Sequence, residues 1–271
     1  MSLVNPEFSL IVPTYNEVDN IATLAQRVHE AVAPCSRYEL IVVDDDSPDG
    51  TAEAARRLGS EYPVKVIVRH NERGLASAVI HGFAHASGDV LGVIDADLQH
   101  PPEMIPDLLR HGRNGADVVV GSRYEPGGGT ENWTRQRLIA SKVAKMLAHL
   151  LLPSSKKVSD PLSGFFLVRR EVIEGVELNP IGQKILLEIL VRGRVGQVAS
   201  VPYTFRGREA GESKYGIREQ VNYLRHILRL LPADSGVRRF IKFCLVGMSG
   251  VLVNEGLLWL FTNVVGLFYL I

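Results

Sequence analysis

The first half of the chain alternates between short apolar runs and longer segments with helical spacing. Continuous apolar runs at 8–12, 40–43, 64–68, 90–94 and 118–121 predict five strands buried on both faces. Apolar residues recur at helical spacing in 16–33, 52–58, 74–86 and 102–111, which predicts four helices. This alternation is typical of a mostly parallel sheet with helices on both faces, so the pattern predicts a Rossmann-like α/β fold.

Polar clusters directly follow three of the predicted strands. They are 13–17 after the first strand, 44–49 after the second and 95–99 after the fourth. In parallel sheets, ligands bind at the carboxyl ends of strands, where these clusters would meet. We therefore expect the three clusters to form one site.

The cluster after the fourth strand contains candidate metal ligands. Asp95, Asp97 and Gln99 alternate along the chain, so an extended backbone would point all three side chains to one side. Carboxylate and amide oxygens suit Mg²⁺ or Mn²⁺ and leave positions open for phosphate oxygens. The open alternative is that Asp95 or Asp97 only caps the helix that follows Pro101.

Composition excludes some classes of function. The 30 basic and 30 acidic residues cancel, so charge gives no argument for a nucleic-acid partner, and we expect none. The cysteines, Cys35 and Cys244, lie too far apart in sequence to suggest a secreted disulfide framework. A chain with 46% hydrophobic residues can build a full-sized core.

The nucleotide-binding glycine motifs are absent. Neither Gly-x-Gly-x-x-Gly after the first strand nor Gly-x-x-x-x-Gly-Lys-Ser/Thr occurs. A nucleotide held through strand-end acids, with its diphosphate on a metal, fits better. Asp44 and Asp45 would accept from base N–H groups and ribose hydroxyls, and Tyr15 offers a ring face.

Two later segments combine an apolar stripe with basic residues. Apolar positions 138, 139, 143, 146, 147, 150 and 151 form one stripe of a helix at 138–152, and a helix at 217–231 has the same character. Basic amphipathic helices of this kind are typical of membrane interfaces, so we expect both to dock on a bilayer. Packing of the stripes against a protein core is the open alternative.

The segment 243–261 is long enough to span a bilayer. Arg238, Arg239 and Lys242 precede it and no basic residue follows, which places its start on the cytoplasmic side. A buried helix of a soluble protein is the alternative. The apolar residues 264–271 are too few to span, so we expect further helices in a multi-pass full-length membrane protein, with the catalytic domain on the cytoplasmic side.

Motifs spread along the chain resemble family 2 glycosyltransferases of the GT-A fold, in particular those that act on polyprenyl phosphates. The motifs are Pro-Thr-Tyr-Asn-Glu at 13–17, Val-Asp-Asp-Asp-Ser-Pro-Asp-Gly-Thr at 43–51, Asn-Glu-Arg-Gly-Leu at 71–75 and Asp-Ala-Asp-Leu-Gln-His-Pro at 95–101. Agreement continues through Gly-Ser-Arg-Tyr at 121–124, Trp133 with Arg137 and Ser141, Asp-Pro-Leu-Ser-Gly-Phe-Phe at 160–166, Glu-Leu-Asn-Pro-Ile at 177–181 and the segment 208–214. The resemblance covers nearly the whole chain.

The resemblance implies an inverting, metal-dependent transfer of mannose from GDP-mannose to dolichyl or another polyprenyl phosphate. It implies catalytic residues Asp95, Asp97, Gln99, Arg123 and Arg208, with Mg²⁺ or Mn²⁺ on Asp95, Asp97 and Gln99. The implied donor-binding residues are Pro13, Tyr15, Glu17, Asp44, Asp45, Asp46, Asp95 and Lys214. The implied ligands of the acceptor phosphate are Arg123, Arg137, Ser141 and Arg208.

The implied organisation is a GT-A catalytic domain at 1–214, an interfacial helix and linker at 215–236, and the start of a transmembrane domain at 237–271. Other functions stay open on the same residues. One is transfer of glucose or a related sugar from a UDP-sugar, because Asp44 and Asp45 do not specify guanine. Another is a non-catalytic sugar-nucleotide-binding partner of a membrane transporter, and a third is hydrolysis of the donor by water.

Overall fold

The computed structural model describes residues 6–207 and 217–263, and these ranges contain nine strands and nine α-helices. The strands are β1 (Phe8–Thr14), β2 (Tyr38–Asp44), β3 (Val64–Val68), β4 (Val90–Val93), β5 (Val118–Ser122), β6 (Gly129–Thr130), β7 (Phe166–Arg169), β8 (Val198–Pro202) and β9 (Thr204–Phe205). The helices are α1 (Val18–Val32), α2 (Thr51–Leu58), α3 (Leu75–His85), α4 (Ile105–Arg113), α5 (Arg135–Leu151), α6 (Arg170–Ile173), α7 (Ile185–Arg192), α8 (Ile217–Leu230) and α9 (Ser235–Asn263).

Seven strands form one sheet in the order β3-β2-β1-β4-β7-β5-β8. All neighbours run parallel except β7, which is antiparallel to both β4 and β5. Strands β6 and β9 form a separate parallel pair. The predicted α/β fold is confirmed, and the five strands and four helices predicted from the first half all form.

The continuous apolar strands pack on both faces, as predicted. On one face, Leu10 and Val12 of β1 pack in a cluster with residues of α1, α2 and α4. On the other, Ile11 of β1 packs with α3 and α7. Burial of each aliphatic side chain stabilises the fold by about 1.5–3 kcal/mol. Because side chains of β1 point alternately to the two faces of the sheet, this strand packs against a layer of helices on each face.

The strand β7 was not predicted, and its direction shapes the site. Because it runs antiparallel, its first residue, Phe166, pairs with Val93 of β4 and Val120 of β5 near the carboxyl ends of those strands. The preceding segment, 160–165, therefore reaches the same edge as the predicted strand-end acids. This arrangement brings a distant part of the sequence into the site.

Helices α5 and α8 join the domain through a third apolar cluster. Ala148, Leu187 and Ile227 link α5, α7 and α8 there. Other apolar side chains of the same two helices are exposed, namely Ile139, Val143, Met146 and Leu150 on α5 and Val221, Leu224 and Leu228 on α8. The helices thus have both a core-facing side and an uncovered apolar side, and docking on a bilayer stays a prediction.

Helix α9 is attached to the domain at its first turn. Asp234 Oδ1 accepts from the Gly236 N–H at 2.8 Å, and its Oδ2 accepts from the Ser154 N–H at 2.9 Å. The segment Ser235–Trp259 is long and apolar enough to cross a membrane by length and composition, and none of it is buried inside the protein. It contains most of the span predicted at 243–261.

Candidate functional site

A cleft of about 710 Å³ opens at the carboxyl edge of the sheet, within the size range of ligand sites. It is lined by ten of the predicted site residues, which are Pro13, Tyr15, Glu17, Asp45, Asp95, Asp97, Gln99, Arg123, Arg137 and Ser141. Arg208 and Lys214 lie outside the described residues. The three polar clusters after β1, β2 and β4 therefore contribute to one site.

Asp44 and Asp46 are not part of the lining of this cleft. Asp44 is fully buried, and its carboxylate accepts from the Thr14 hydroxyl at 2.8 Å and from the Ser47 N–H at 2.8 Å and hydroxyl at 2.6 Å. Asp46 is exposed and lies 3.3 Å from His70 Nδ1. The Asp44 carboxylate therefore stabilises the turn after β2.

Asp45 lies in the cleft wall with both carboxylate oxygens engaged. Oδ1 accepts from the buried Arg69 guanidinium, and Oδ2 accepts from the Gly74 N–H at 2.8 Å. Gly74 has φ +139°, a conformation that side-chain-bearing residues rarely adopt. This network holds the loop before α3, where Arg73 stacks 4.5 Å from the centre of the Tyr15 ring. Arg69 carried no signal in the sequence, since a lone arginine after a strand is common.

The candidate metal ligands follow β4 in a tight turn. Leu98 has φ +59°, and Asp97 Oδ1 accepts from the Gln99 N–H at 3.2 Å. The Gln99 amide nitrogen donates to the Arg206 carbonyl at 3.1 Å. The side-chain oxygen is the acceptor atom of this amide and is the atom that could bind a metal. The helical turns that begin at Pro102 and Ile105 have no side-chain cap, so neither aspartate serves the capping role considered above.

The donor set fits a divalent cation that also binds substrate oxygens. Asp95, Asp97 and Gln99 supply hard oxygen ligands to one cleft. Within 6–207 and 217–263, no cluster of three His, Cys, Asp or Glu side chains could hold a metal alone. Mg²⁺ or Mn²⁺ with few protein ligands, completed by phosphate oxygens, matches this arrangement.

Two residues not predicted as site residues fix the position of Asp95. His100 Nε2 lies 3.2 Å from Asp95 Oδ2, and the imidazole is buried among the rings of Phe165 and Phe205. A Cβ added at Gly164 would lie 3.2 Å from the same Oδ2, so a side chain there would press against the Asp95 carboxylate. His100 belongs to the motif at 95–101, and its closeness to Asp95 and Asp97 in sequence was the only sign that it contributes to the site.

Arg123 is held by a buried ion pair. Its Nε and Nη2 donate to the two oxygens of Asp160 at 2.8 and 2.9 Å, and Asp160 is fully buried. Burial opposes the guanidinium charge, but the Asp160 carboxylate outweighs it and raises the pKa of Arg123 above its usual value. Arg123 therefore stays protonated at the cleft wall.

The start of α5 adds further cationic and polar groups. The Thr134 hydroxyl caps the helix by accepting from the Arg137 N–H at 3.3 Å, and the Arg137 guanidinium stacks 4.1 Å from the Trp133 ring centre. The Ser141 hydroxyl lies 2.7 Å from the Tyr124 hydroxyl. Asp95 and Asp97 follow β4, whereas Arg123 follows β5 and Arg137 lies in α5, and β7 separates β4 from β5 in the sheet; we call these two parts of the cleft its acidic end and its cationic end.

Comparison with known proteins agrees with this geometry. The model of the family "Glycosyl transferase family 2" matches residues 9–176. A protein from Pyrococcus furiosus named dolichol-phosphate mannosyltransferase is 54% identical over 255 residues, which cover 94% of this chain and 72% of that protein. A Saccharomyces cerevisiae protein of the same name is 39% identical over 250 residues, covering 88% of this chain and 91% of that protein.

Solved structures share the fold. Glucosyl-3-phosphoglycerate synthase from Mycobacterium tuberculosis aligns with a TM-score of 0.64 at 22% identity, covering 86% of this chain and 81% of that one. Its complex with Mn²⁺, uridine diphosphate and glucosyl-3-phosphoglycerate aligns with a TM-score of 0.64 at 21% identity, over the same shares of the two chains. At these identities the likeness shows the fold alone.

Proposed function

The chain belongs to glycosyl transferase family 2 and is a glycosyltransferase, and on that premise we propose that it transfers mannose from GDP-mannose to dolichyl or another polyprenyl phosphate with inversion. The observation that carries the proposal is the polarity of the cleft. Its acidic end suits a metal-bound diphosphate, and its cationic end suits an anionic acceptor. The relatives named dolichol-phosphate mannosyltransferase support mannose and dolichyl phosphate as the substrates.

The donor would bind at the acidic end. Asp95, Asp97 and Gln99 would hold Mg²⁺ or Mn²⁺, which when bound offsets the diphosphate charge and stabilises the leaving GDP. The nucleoside would contact residues that follow β1 and β2 and line the cleft, namely Pro13, Tyr15, Glu17 and Asp45. Asp44 stabilises the turn beside it, and Lys214 would contribute a positive charge to the donor phosphates.

The acceptor would bind at the cationic end. A lipid phosphate with a second pKa of about 6 is already an anionic nucleophile at neutral pH, so the reaction needs no general base. Arg123, Arg137 and Ser141, with Arg208, would hold the phosphate, and an arginine fork can bind two phosphate oxygens. One phosphate oxygen attacks the anomeric carbon as the bond to GDP breaks, and this single displacement inverts the centre.

The identity of the donor is tested by comparing labelled sugar nucleotides in separate reactions. The protein with Mn²⁺ and a polyprenyl phosphate is given labelled GDP-mannose, UDP-glucose or UDP-N-acetylglucosamine, and label in the organic phase is measured. We expect label from GDP-mannose to dominate. Dominant transfer from UDP-glucose would support the glucosyltransferase alternative, since the described donor contacts do not specify guanine.

The contact between His100 and Asp95 gives a prediction about metal use. Replacing His100 with phenylalanine keeps an aromatic ring in the Phe165 and Phe205 cluster and removes the hydrogen bond to Asp95. We expect the Mn²⁺ concentration for half-maximal rate to rise about tenfold, as for other groups that orient metal ligands. His100→Gln, which keeps a donor, should recover part of the loss. An unchanged Mn²⁺ dependence in His100→Phe would contradict this role.

We also propose the three-part organisation given above, with α5 and α8 on the bilayer surface and α9 as the start of a multi-pass membrane domain. The exposed apolar side chains of α5 and α8 support this placement. The basic residues around them would attract anionic lipid. The catalytic domain would then face the cytoplasm beside its lipid acceptor.

The membrane placement predicts a difference between two acceptors. Leu150 and Leu228 are 70% and 64% exposed, so replacing both with glutamate should leave folding intact. Because the carboxylates would oppose docking on anionic vesicles, we expect about a tenfold rise in KM for vesicle-borne polyprenyl phosphate. A short, water-soluble acceptor serves as the control in the same variant. Equal KM changes for both acceptors would show that the two leucines do not contact the bilayer.

A further inference from the structure

A lysine without a role in the reaction above lies in the wall of the cleft. Lys184 immediately precedes α7, is partly buried and lines the cleft together with Asp95, Arg123 and Ser141. It also borders a small cavity against Ala144 of α5 and Tyr223 of α8. Lys184 therefore borders both the cleft and the contact between α5 and α8.

One short segment, 160–164, holds Lys184 beside Arg123. The Lys184 ammonium donates to the Leu162 carbonyl at 3.3 Å, and the Asp160 carboxylate binds Arg123 through two hydrogen bonds. Gly164 at the end of the segment lies against Asp95. The segment that β7 brings to this edge thus contacts Arg123, Lys184 and Asp95.

The electrostatics of this pair favour an added anion. Burial, and then the charge of Arg123, lower the pKa of Lys184 below its usual value, while Asp95, Asp160 and Glu219 oppose the shift. An ammonium has three donors, and in the described structure one of them makes a single long hydrogen bond. A phosphate dianion between the two cations would offset their repulsion and accept the remaining donors.

We propose that Lys184 binds the acceptor phosphate together with Arg123 and so positions the attacking oxygen. The inference rests on the proposed function and adds a ligand to its acceptor site. In the reaction a phosphate oxygen of the acceptor forms a bond to the anomeric carbon. The bond between that carbon and the donor's β-phosphate oxygen breaks, and its electron pair leaves with GDP. Lys184 transfers no proton; it contributes charge and hydrogen bonds.

Direct binding tests the proposal without turnover. Calorimetry measures the Kd of a short-chain polyprenyl phosphate for wild type, Lys184→Met and Lys184→Arg, with the corresponding polyprenol as the ligand that lacks phosphate. We expect Lys184→Met to weaken polyprenyl phosphate binding by about tenfold or more, as for loss of a charge-assisted hydrogen bond. Lys184→Arg should lose less, and GDP-mannose affinity should change less than twofold. Lys157→Met is the matched control. The Lys157 ammonium donates to the Val195 carbonyl at 2.6 Å, and Lys157 is not part of the cleft lining.

The pH profile separates a phosphate ligand from a structural lysine. As pH rises through the lowered pKa of Lys184, the protein should lose affinity for the acceptor, because the ammonium loses its proton while the phosphate stays a dianion. Lys184→Arg should remove this alkaline loss. Of the groups facing Lys184, Arg123 has a raised pKa and stays charged, and the carboxyl groups are those of Asp95, Asp160 and Glu219.

Three results would overturn the proposal. The first is Lys184→Met binding the polyprenyl phosphate within twofold of wild type. The second is an equal loss of GDP-mannose affinity, which would place Lys184 at the donor phosphates. The third is an equal loss of polyprenol affinity, which would mean a structural role. Failure of wild type to transfer mannose despite phosphate-dependent binding would instead contradict the proposed function.

Discussion

Replacing Asp97 with alanine is expected to lower the transfer rate by about 10²- to 10³-fold or more, the range seen when a group that stabilises transition-state charge is removed. Asp97 lines the cleft beside Asp95, and its Oδ1 accepts from the Gln99 N–H. Alanine removes the carboxylate that we propose as a metal ligand beside the donor diphosphate. Asp97→Asn keeps the shape and removes only the charge, so it should fail to a similar degree. Initial rates with GDP-mannose and a polyprenyl phosphate measure both.

The control and the contrary result for Asp97 concern the metal. Asp107→Asn is the matched control, because Asp107 pairs with Arg110 on the exposed side of α4 and should leave the rate unchanged. Raising Mn²⁺ should not rescue either Asp97 variant. Recovery of the wild-type rate at high Mn²⁺ would show that this carboxylate is not essential to the chemistry.

Replacing Arg123 with methionine is expected to reduce both stability and transfer. Arg123 is the partner of Asp160, whose carboxylate is fully buried. Removing one member of a buried ion pair leaves the other charge uncompensated and costs about 3–5 kcal/mol in free energy of unfolding. The same change removes a proposed ligand of the acceptor phosphate. Denaturation in detergent measures the first effect and the KM for polyprenyl phosphate measures the second.

A double variant separates the two effects of Arg123. Combining Arg123→Met with Asp160→Asn removes both charges, so most of the lost stability should return. The acceptor KM should stay raised, because the phosphate ligand is still missing. If the double variant regained acceptor use along with stability, Arg123 would be a structural residue only.

The sequence was sufficient to predict the parallel half of the sheet, because each strand there is a continuous apolar run followed by a helical pattern. It did not predict β7, α7 or β8. The strand β7 has only four residues and runs antiparallel between β4 and β5. A local pattern carries no information about which strands a short segment joins, so the placement of 160–165 in the site could be found only from the structure.

The candidate site shows the same division. The strand-end acids Asp45, Asp95 and Asp97 were predicted from their position and do line the cleft. Asp44 has the same chemistry in sequence, but the strand alternation turns its side chain toward Thr14 and Ser47. His100 packs against Phe165 and Phe205, and Lys184 donates to Leu162. These partners are distant in sequence, so residue spacing alone does not predict the contacts.

The most direct test of the central claim is the stoichiometry of one reaction with two labels. Wild-type protein receives ¹⁴C-mannose in GDP-mannose and ³²P in the polyprenyl phosphate, and GDP release is measured together with both labels in the organic phase. The proposed transfer predicts one ¹⁴C and one ³²P in a single lipid product for each GDP released. Release of GDP with ¹⁴C-mannose left in water would indicate hydrolysis, and binding of GDP-mannose without GDP release would indicate a non-catalytic binding protein; either result would contradict the proposed transfer.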